Sequence, residues 1–279
     1  MTELAIDIIE IILLCSLCVL FIAAASIRAK NTLQKRRQQG LLWLKALREL
    51  LSTVQQHRGT TTGYLNGSKD LFKNIGPLQK KVLNQKQSVE DIGSWIHKNK
   101  LWESINDHWS RLSQNYNKNT TENNLAQHNS LTKTILELID DMATSHGLLA
   151  LENKNMTPLH VVWRELLTTA ELIGQTRAIG TGVTARQYCD SIARIRLNYL
   201  CQKIEKKAQL VWNKIPPDPE QQKSVAAYIS CVNNEVSLER PNIAPATFFN
   251  IATSAIDKLH TQFDQYIDHQ IATCHRHVS

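Results

Sequence analysis

Turn-forming residues are scarce in this 279-residue chain, which has only 10 glycines and 7 prolines. Long runs of alternating β-branched residues are missing as well. Both features argue against a sheet-rich fold, because strands are separated by frequent turns and carry a two-residue side-chain period. The length is sufficient for one large domain or two small ones with a buried core.

Recognisable catalytic and cofactor motifs are also absent. Two of the six cysteines lie in an apolar N-terminal stretch, and the other four are scattered without metal-ligand spacing. This usage fits a reducing compartment and predicts neither a disulfide framework nor a metal site. P-loop, GxSxG, HExxH, haem and flavin patterns are missing too, so we predict no cofactor, no catalytic residue and a protein that is not an enzyme.

Acidic residues are outnumbered, and the formal net charge is +7. Much of the excess lies in one basic cluster directly after an apolar segment, comprising Arg28, Lys30, Lys35, Arg36 and Arg37. This placement favours anionic lipid headgroups or a small anion as partners, and we predict no nucleic-acid partner.

Long hydrophobic runs are limited to one segment, from Leu4 to Ile27. About 20 helical residues are needed to span a bilayer, so this segment predicts one transmembrane helix. A cleaved signal peptide is the alternative, and the missing basic N-terminal region disfavours it. Because the basic cluster follows the span, we predict a single-pass protein of the inner (cytoplasmic) membrane, with the N-terminus outside and the remainder cytoplasmic. Asp7 and Glu10 lie near the outer end, where their side chains reach headgroups.

Beyond the span, apolar residues recur at steps of three and four, which is the helical period. One stripe includes Leu41, Leu44, Leu47, Leu51 and Val54, and another includes Phe249, Ala252, Ile256, Leu259, Phe263 and Ile267. We therefore predict an all-α fold, an N-terminal transmembrane helix followed by two antiparallel helical bundles. The predicted divisions are an anchor (1–28), a basic juxtamembrane segment (29–40) and a helical domain (41–274) with two similar halves, 41–150 and 157–274.

Several boundaries follow from local signals. Gly76–Pro77 predicts a break or kink, and the Asn-rich stretch 114–129 predicts a loop. Thr157–Pro158 predicts a capped helix start, and a further helix is predicted over about 186–211. Pro216–Pro219 predicts a break in which Asp218 caps the next helix, and Pro245 opens the last helix.

A short segment occurs twice in the chain. Residues 56–63 (QHRGTTTG) and 175–182 (QTRAIGTG) both fit Q-x-R-x-x-x-T-G. Each copy places an arginine and a threonine four residues apart, on one helical face. Two copies about 120 residues apart predict that the arginine faces of two similar halves meet across an interface.

Two facing guanidinium groups suit a flat oxyanion such as nitrate or nitrite. Arginine is planar, permanently charged and able to bind such an anion in bidentate fashion. We identify Arg58 and Arg177 as the candidate anion ligands, with Thr62, Thr181, Gly59 and Gly180 as candidate supporting donors. The alternative is that both arginines are ordinary solvated helix residues.

The chain resembles the NIT domain, the nitrate- and nitrite-sensing family of bacteria. The similar segments are Gln56 to Leu65 (QHRGTTTGYL), Arg177 to Gly182 (RAIGTG), and Phe248 to Thr253 (FFNIAT) followed by Ile256 to Leu259 (IDKL). The resemblance covers about residues 40–270. It implies two helical bundles and anion-binding arginines from both halves, a role that falls here on Arg58 and Arg177.

These observations predict a membrane-anchored sensor that binds nitrate or nitrite and signals to a separate, unidentified protein partner. Family members usually carry an output module, and none follows the last helix, so output is expected to pass through that partner. The alternative is a membrane-tethered helical scaffold that docks other proteins without a ligand. Homodimerisation is left open.

Overall fold

The structure is a computed structural model that describes residues 2–152 and 157–276, with side chains described for residues 13–152 and 157–274. The side chains of Asp7 and Glu10 therefore lie outside the described part. Within it the protein is all-α and contains no β-strand, and its β feature is an isolated bridge between Glu152 and Pro158. The predicted fold class is confirmed.

Helix α1 (Thr2–Leu65) is continuous from the apolar N-terminal segment into the core. By length and composition, α1 could cross a membrane. The side chains of its apolar part are exposed, as at Phe21 (76%). The side chains of Leu44, Leu47 and Leu51 are fully buried further along the same helix. The candidate span and the first core helix are thus one structural element.

The first bundle consists of α1 with α2 (Phe72–Asp91), α3 (Lys100–Asn115) and α4 (Thr121–Ser145). Helices α2 and α4 both run back along α1. At one end the indole nitrogen of Trp43 donates to the carbonyl oxygen of Val89 at 2.9 Å, and at the other His57 lies beside His128. Helix α3 packs on α4, which completes an up-down-up-down bundle.

The second bundle consists of α5 (Leu167–Arg186), α6 (Ser191–Trp212), α7 (Pro219–Cys231) and α8 (Pro245–Arg276). A π-helical turn, Val162–Leu166, leads into α5. Helix α5 packs against α6 and α8, and α7 packs against α8. The Asp218 carboxylate accepts from the backbone of Glu220 at 3.1 Å, which confirms the predicted cap of α7.

The two bundles join where α1 lies against α5 and α8. Ion pairs fix α8 antiparallel to α1: Arg48 contacts Asp264 at 2.6 Å and Lys45 contacts Asp268 at 2.7 Å. Two residues of the juxtamembrane cluster also contact the domain: Arg36 donates to the carbonyl oxygen of Ser145, the last residue of α4, and Arg37 donates to that of Gly147. Cations at this position complement the C-terminal end of a helix dipole.

The predicted loop over 114–129 is wrong, because α4 already begins at Thr121. Two of its polar residues face the interior, although most of the others are exposed. Asn124 and His128 are fully buried, and the Asn124 amide donates to the Thr61 hydroxyl at 3.0 Å. A polar stretch therefore forms a helix here because the neighbouring helix also presents polar groups.

Three other predicted boundaries need correction. Pro77 lies inside α2 near its N-terminal end, where a missing backbone donor removes at most one intrahelical bond. Pro158 takes part in the isolated bridge, and helical structure resumes only at His160. Helix α6 begins at Ser191, because Asp190 caps it by accepting from the backbone of Ala193 at 2.8 Å. The predicted start of α8 at Pro245 is confirmed.

Candidate functional site

Both copies of the Q-x-R-x-x-x-T-G segment are helical, and they lie side by side on the parallel helices α1 and α5. A methyl group built on Gly63 would lie 2.7 Å from Cγ2 of Thr181. One built on Gly182 would lie 3.3 Å from Cγ2 of Thr62. This reciprocal threonine-on-glycine contact brings the two helices to a close approach at equivalent positions of the two copies.

The threonine hydroxyls are used within their own helices. The hydroxyl of Thr62 donates to the carbonyl oxygen of Arg58 at 2.7 Å, and that of Thr181 donates to the carbonyl oxygen of Arg177 at 2.7 Å. Each proton is therefore already committed, so in this structure Thr62 and Thr181 support the helix contact and do not present donors to a ligand.

Gly59 and Gly180 make room for an aromatic pair from α8. A methyl group on Gly59 would lie 2.8 Å from the ring of Phe249, and one on Gly180 would overlap the ring of Phe248. The two glycines thus let α8 close over the arginines, which places the Phe248–Thr253 segment at the site.

Arg58 is fully buried and neutralised. Its guanidinium donates to both carboxylate oxygens of Glu171, at 2.7 and 3.2 Å, and to the side-chain oxygen of Asn129 at 2.8 Å. Glu171 also accepts from Gln55 at 2.7 Å and from Gln175 at 2.9 Å. This network fixes the Arg58 side chain between α1, α4 and α5.

Arg177 has a different environment, although it is only 1% exposed. It donates to the Thr253 hydroxyl at 2.7 Å, and its guanidinium carbon lies 4.6 Å from the centre of the Phe249 ring. Within the described residues it has no ion pair. Burial and the positive charge of Arg58 lower its pKa to about 10, a direction that reports an incompletely compensated cation.

The two predicted anion ligands therefore differ in how far their charge is already compensated. Glu171 neutralises Arg58, whereas Arg177 has no carboxylate within ion-pair distance in the described part of the chain. The Nε atoms of both arginines are buried without a hydrogen-bond partner, as is the side-chain oxygen of Gln55. The site thus retains unused donors in its interior, which is uncommon for buried polar groups.

A chain of neutral side chains lies beside Arg58. The Nδ1 atom of His57 is 2.8 Å from Nε2 of His128, whose own Nδ1 donates to the carbonyl oxygen of Asn124 at 2.8 Å. These bonds assign the proton of each ring to Nδ1, and they leave Nε2 of His57 to accept from Gln79 at 3.3 Å. Burial lowers the pKa of His57 to about 3 and that of His128 well below its usual value.

A cleft of about 390 Å³ opens between α4 and α6 and reaches the site. Thr62, Asn129 and Gly182 line its inner part, and Arg186 and Arg196 lie along it nearer α6. Because Asn129 contacts Arg58 directly, the cleft connects solvent with the edge of the arginine site.

Sequence reasoning identified both arginines and missed their partners. Glu171 is the only charged residue between Leu166 and Gly174, a signal that a carboxylate is needed inside that helix. Thr253 entered only through the family resemblance, and Phe249 through that resemblance and as part of an apolar stripe; neither was assigned a role at the site. Nothing in the local sequence around Asn129 indicates its contact with Arg58.

The fold and the site together define a class: an all-α protein with a candidate membrane span and a buried arginine pair between two bundles. Its structure is similar to that of the NasR transcription antiterminator, with a TM-score of 0.63 over 92% of this chain and 74% of that chain. Sequence identity is 14%, so this likeness shows a shared fold alone. No protein-family model matches the sequence, and no curated protein matches it significantly.

Proposed function

We propose that this protein is a membrane-anchored sensor that binds nitrate or nitrite between its two helical bundles. The observation that carries the proposal is the buried Arg177 guanidinium, which has no ion pair among the described residues. An unpaired buried charge destabilises a fold by several kcal/mol. A small anion at Arg177 would remove much of that destabilisation and so shift the protein toward the arrangement that binds it.

The donor set fits a flat oxyanion better than a large ligand. Both arginines keep an unpaired Nε, and planar guanidinium groups bind planar oxyanions through two parallel hydrogen bonds. The aromatic ring of Phe249 covers one face of Arg177, which leaves its edge for the anion. The cleft beside Asn129 is the proposed access route, and its lining includes Arg196 and the ion pair between Arg186 and Asp190.

The same proposal places the chain in the NIT family. It is supported by the way α1, α5 and α8 bring three separate motifs together around Arg177. A regulatory role is also consistent with the fold shared with a transcription antiterminator.

We further propose that the N-terminus lies outside the inner membrane and the bundles lie in the cytoplasm, with Arg28, Lys30 and Lys35 near anionic headgroups. Helix α1 carries one anion ligand and continues into the candidate span, so a change at Arg58 acts directly on the membrane segment. The site carries no reaction chemistry in this proposal, and the signal passes to a separate protein.

The decisive experiment is isothermal titration calorimetry of the full chain in nanodiscs with nitrate and with nitrite. Arg177→Ala and Arg58→Ala should each weaken binding at least about tenfold, since a charged hydrogen bond contributes about 1.5–3 kcal/mol. The double variant should lose less than the sum, because ligands of one anion are not additive. Arg58→Lys and Arg177→Lys should also weaken anion binding, because an ammonium group lacks the planar fork of donors that a guanidinium has.

Arg164→Ala is the matched control, because Arg164 is an exposed arginine paired with Asp140 at 2.6 Å. Its affinity for nitrate should equal that of the wild type. Absence of nitrate and nitrite binding by the wild-type protein would reject the sensor and favour the scaffold alternative. Strictly additive losses would assign the two arginines to independent roles.

A further inference from the structure

Helix α6 presents an apolar face to solvent. Ile192 is 69% exposed, Ile195 68% and Tyr199 56%, at the three- and four-residue steps that align side chains along one side of a helix. The opposite side is already buried in the second bundle through Leu197, Ile204 and other apolar residues. The exposed face is therefore not needed for folding.

Cations accompany these apolar residues on the same side of the helix. At 100° per residue, Arg196, Lys203 and Lys206 fall within the sector of Ile192, Ile195 and Tyr199, whereas Glu205 falls well outside it. Lys203 also lies 4.9 Å from the centre of the Tyr199 ring. We call this set the α6 face: Ile192, Ile195, Arg196, Tyr199, Lys203 and Lys206.

We propose that the α6 face is the docking surface for an acidic amphipathic helix of a partner protein. The face extends about 20 Å along α6 at 1.5 Å per residue, which matches four turns of a partner helix. Exposed isoleucines and a tyrosine supply an apolar centre, and the three cations supply a rim that selects acidic residues. The proposal does not depend on anion binding at Arg177.

The charge and apolar content of the α6 face argue against other occupants. A second copy of this chain docking through the same face would place three cations against three cations, and like charges across an interface are repulsive. A nucleic acid would leave Ile192 and Ile195 without suitable contacts, since phosphates bind cations. Ile192 lines one cleft together with Thr62 and Asn66, at the end of α1 opposite the candidate span, so this end of the α6 face lies far from the bilayer that α1 would cross.

The test uses the full chain in nanodiscs and a fluorescein-labelled helical peptide of about 20 residues, long enough to cover the α6 face. This probe carries leucine at helical three- and four-residue steps with flanking glutamates, and a matched probe carries lysine in place of glutamate. Fluorescence anisotropy should show binding of the acidic probe and at least tenfold weaker binding of the basic one. The Ile192→Ser/Ile195→Ser variant should weaken binding of the acidic probe tenfold or more.

Charge removal gives a second readout. The Arg196→Gln/Lys203→Gln/Lys206→Gln variant should bind the acidic probe more weakly and should lose most of the salt dependence seen with wild type. Leu83→Ser is the matched control, because Leu83 is an exposed leucine (57%) on α2, and it should leave affinity unchanged.

Three results would overturn the proposal. The first is equal binding of the two probes, or no binding of the acidic one. The second is binding of a single-stranded RNA 20-mer that the charge variant abolishes while the acidic probe fails to bind. The third is reversible self-association in sedimentation that Ile192→Ser/Ile195→Ser removes, which would assign the face to a second copy of the chain.

Discussion

Arg58 and Arg177 occupy matching positions of a repeated segment, yet only Arg58 has a direct ion pair among the described residues. Arg58 contacts Glu171 through two oxygens, whereas Arg177 contacts the Thr253 hydroxyl and the Phe249 ring. Both are almost completely buried. A similar backbone framework thus holds one neutralised and one incompletely compensated guanidinium.

The difference suggests separate roles for two arginines that the repeated segment treats as equivalent. An arginine paired with a buried carboxylate fixes geometry, because breaking that pair leaves an uncompensated charge. An arginine without a carboxylate retains the capacity to attract an anion. We therefore expect Arg58 to contribute more to stability and Arg177 more to ligand selection.

The largest expected effect is on stability and would come from Arg58→Ala. It leaves Glu171 buried without its cation, which should lower the free energy of unfolding by about 3–5 kcal/mol. Arg177→Ala should lower it less in the anion-free protein, because the charge that it removes has no ion pair among the described residues. Urea unfolding of both variants without nitrate measures the difference.

The control for this asymmetry is Arg58→Met combined with Glu171→Leu. Replacing a buried ion pair by apolar residues of similar volume is often neutral or stabilising, so the double variant should recover most of the loss. Equal destabilisation by Arg58→Ala and Arg177→Ala would show that Glu171 does not distinguish the two arginines.

The second expected effect is a loss of stability in mild acid. Buried His57 in the first bundle and His260 in the second have a pKa lowered to about 3 by burial, while the unfolded chain takes up protons below about pH 6.5. Between these values the unfolded state binds more protons, so stability falls with decreasing pH by about 1.4 kcal/mol per pH unit for each histidine. His57→Gln should reduce this slope, and His97→Gln, at an exposed position, should not. The urea midpoint of each variant, measured from pH 7 to pH 4.5, gives the dependence of stability on pH. An unchanged dependence in His57→Gln would contradict the prediction.

The helical architecture could be predicted because apolar residues at three- and four-residue steps indicate which side of a helix is buried. Leu41 to Val54 and Phe249 to Ile267 have the three-to-four step, and both lie in long helices of the core. Prediction failed where polar residues face the interior. Asn124 and His128 read as loop residues because their partners, Thr61 and His57, lie more than 60 positions earlier in the chain.

The candidate site was foreseeable only in part for the same reason. The repeated segment indicated Arg58 and Arg177, since identical spacing is visible in one dimension. The pairing of Arg58 with Glu171 depends on the register between α1 and α5, which is set by contacts such as Gly63 against Thr181. Which arginine keeps a free charge therefore follows from packing and not from the motif.

The register between α1 and α5 also allows a comparison of the two glycines of the repeat, Gly63 and Gly182. A methyl group at Gly63 would meet Thr181 at 2.7 Å and would overlap Leu71, whereas one at Gly182 would first meet the side-chain amide of Asn66 at 2.9 Å. Gly63→Ala should destabilise the protein by about 1–3 kcal/mol, which is typical of overpacking. Gly182→Ala should stay within about 1 kcal/mol of wild type, because alanine also favours the helix. Thermal unfolding of both variants tests this, and equal shifts would show that the contact is symmetric in energy as well as in sequence.

The smallest expected effect isolates the aromatic contact that Arg177 has in place of a carboxylate. A guanidinium over an aromatic face is stabilised by about 0.5–2 kcal/mol, depending on its desolvation. A double-mutant cycle with Arg177→Met and Phe249→Leu should give a coupling energy in this range, measured by urea unfolding without nitrate. The matched cycle with Arg177→Met and Phe248→Leu should give a value near zero, because Phe248 stacks on Tyr228 with ring centres 6.0 Å apart. Equal coupling in the two cycles would mean that Phe249 only fills space over Gly59. A coupling specific to Phe249 would show that Arg177 is stabilised without a full negative charge, so that its attraction for an anion remains.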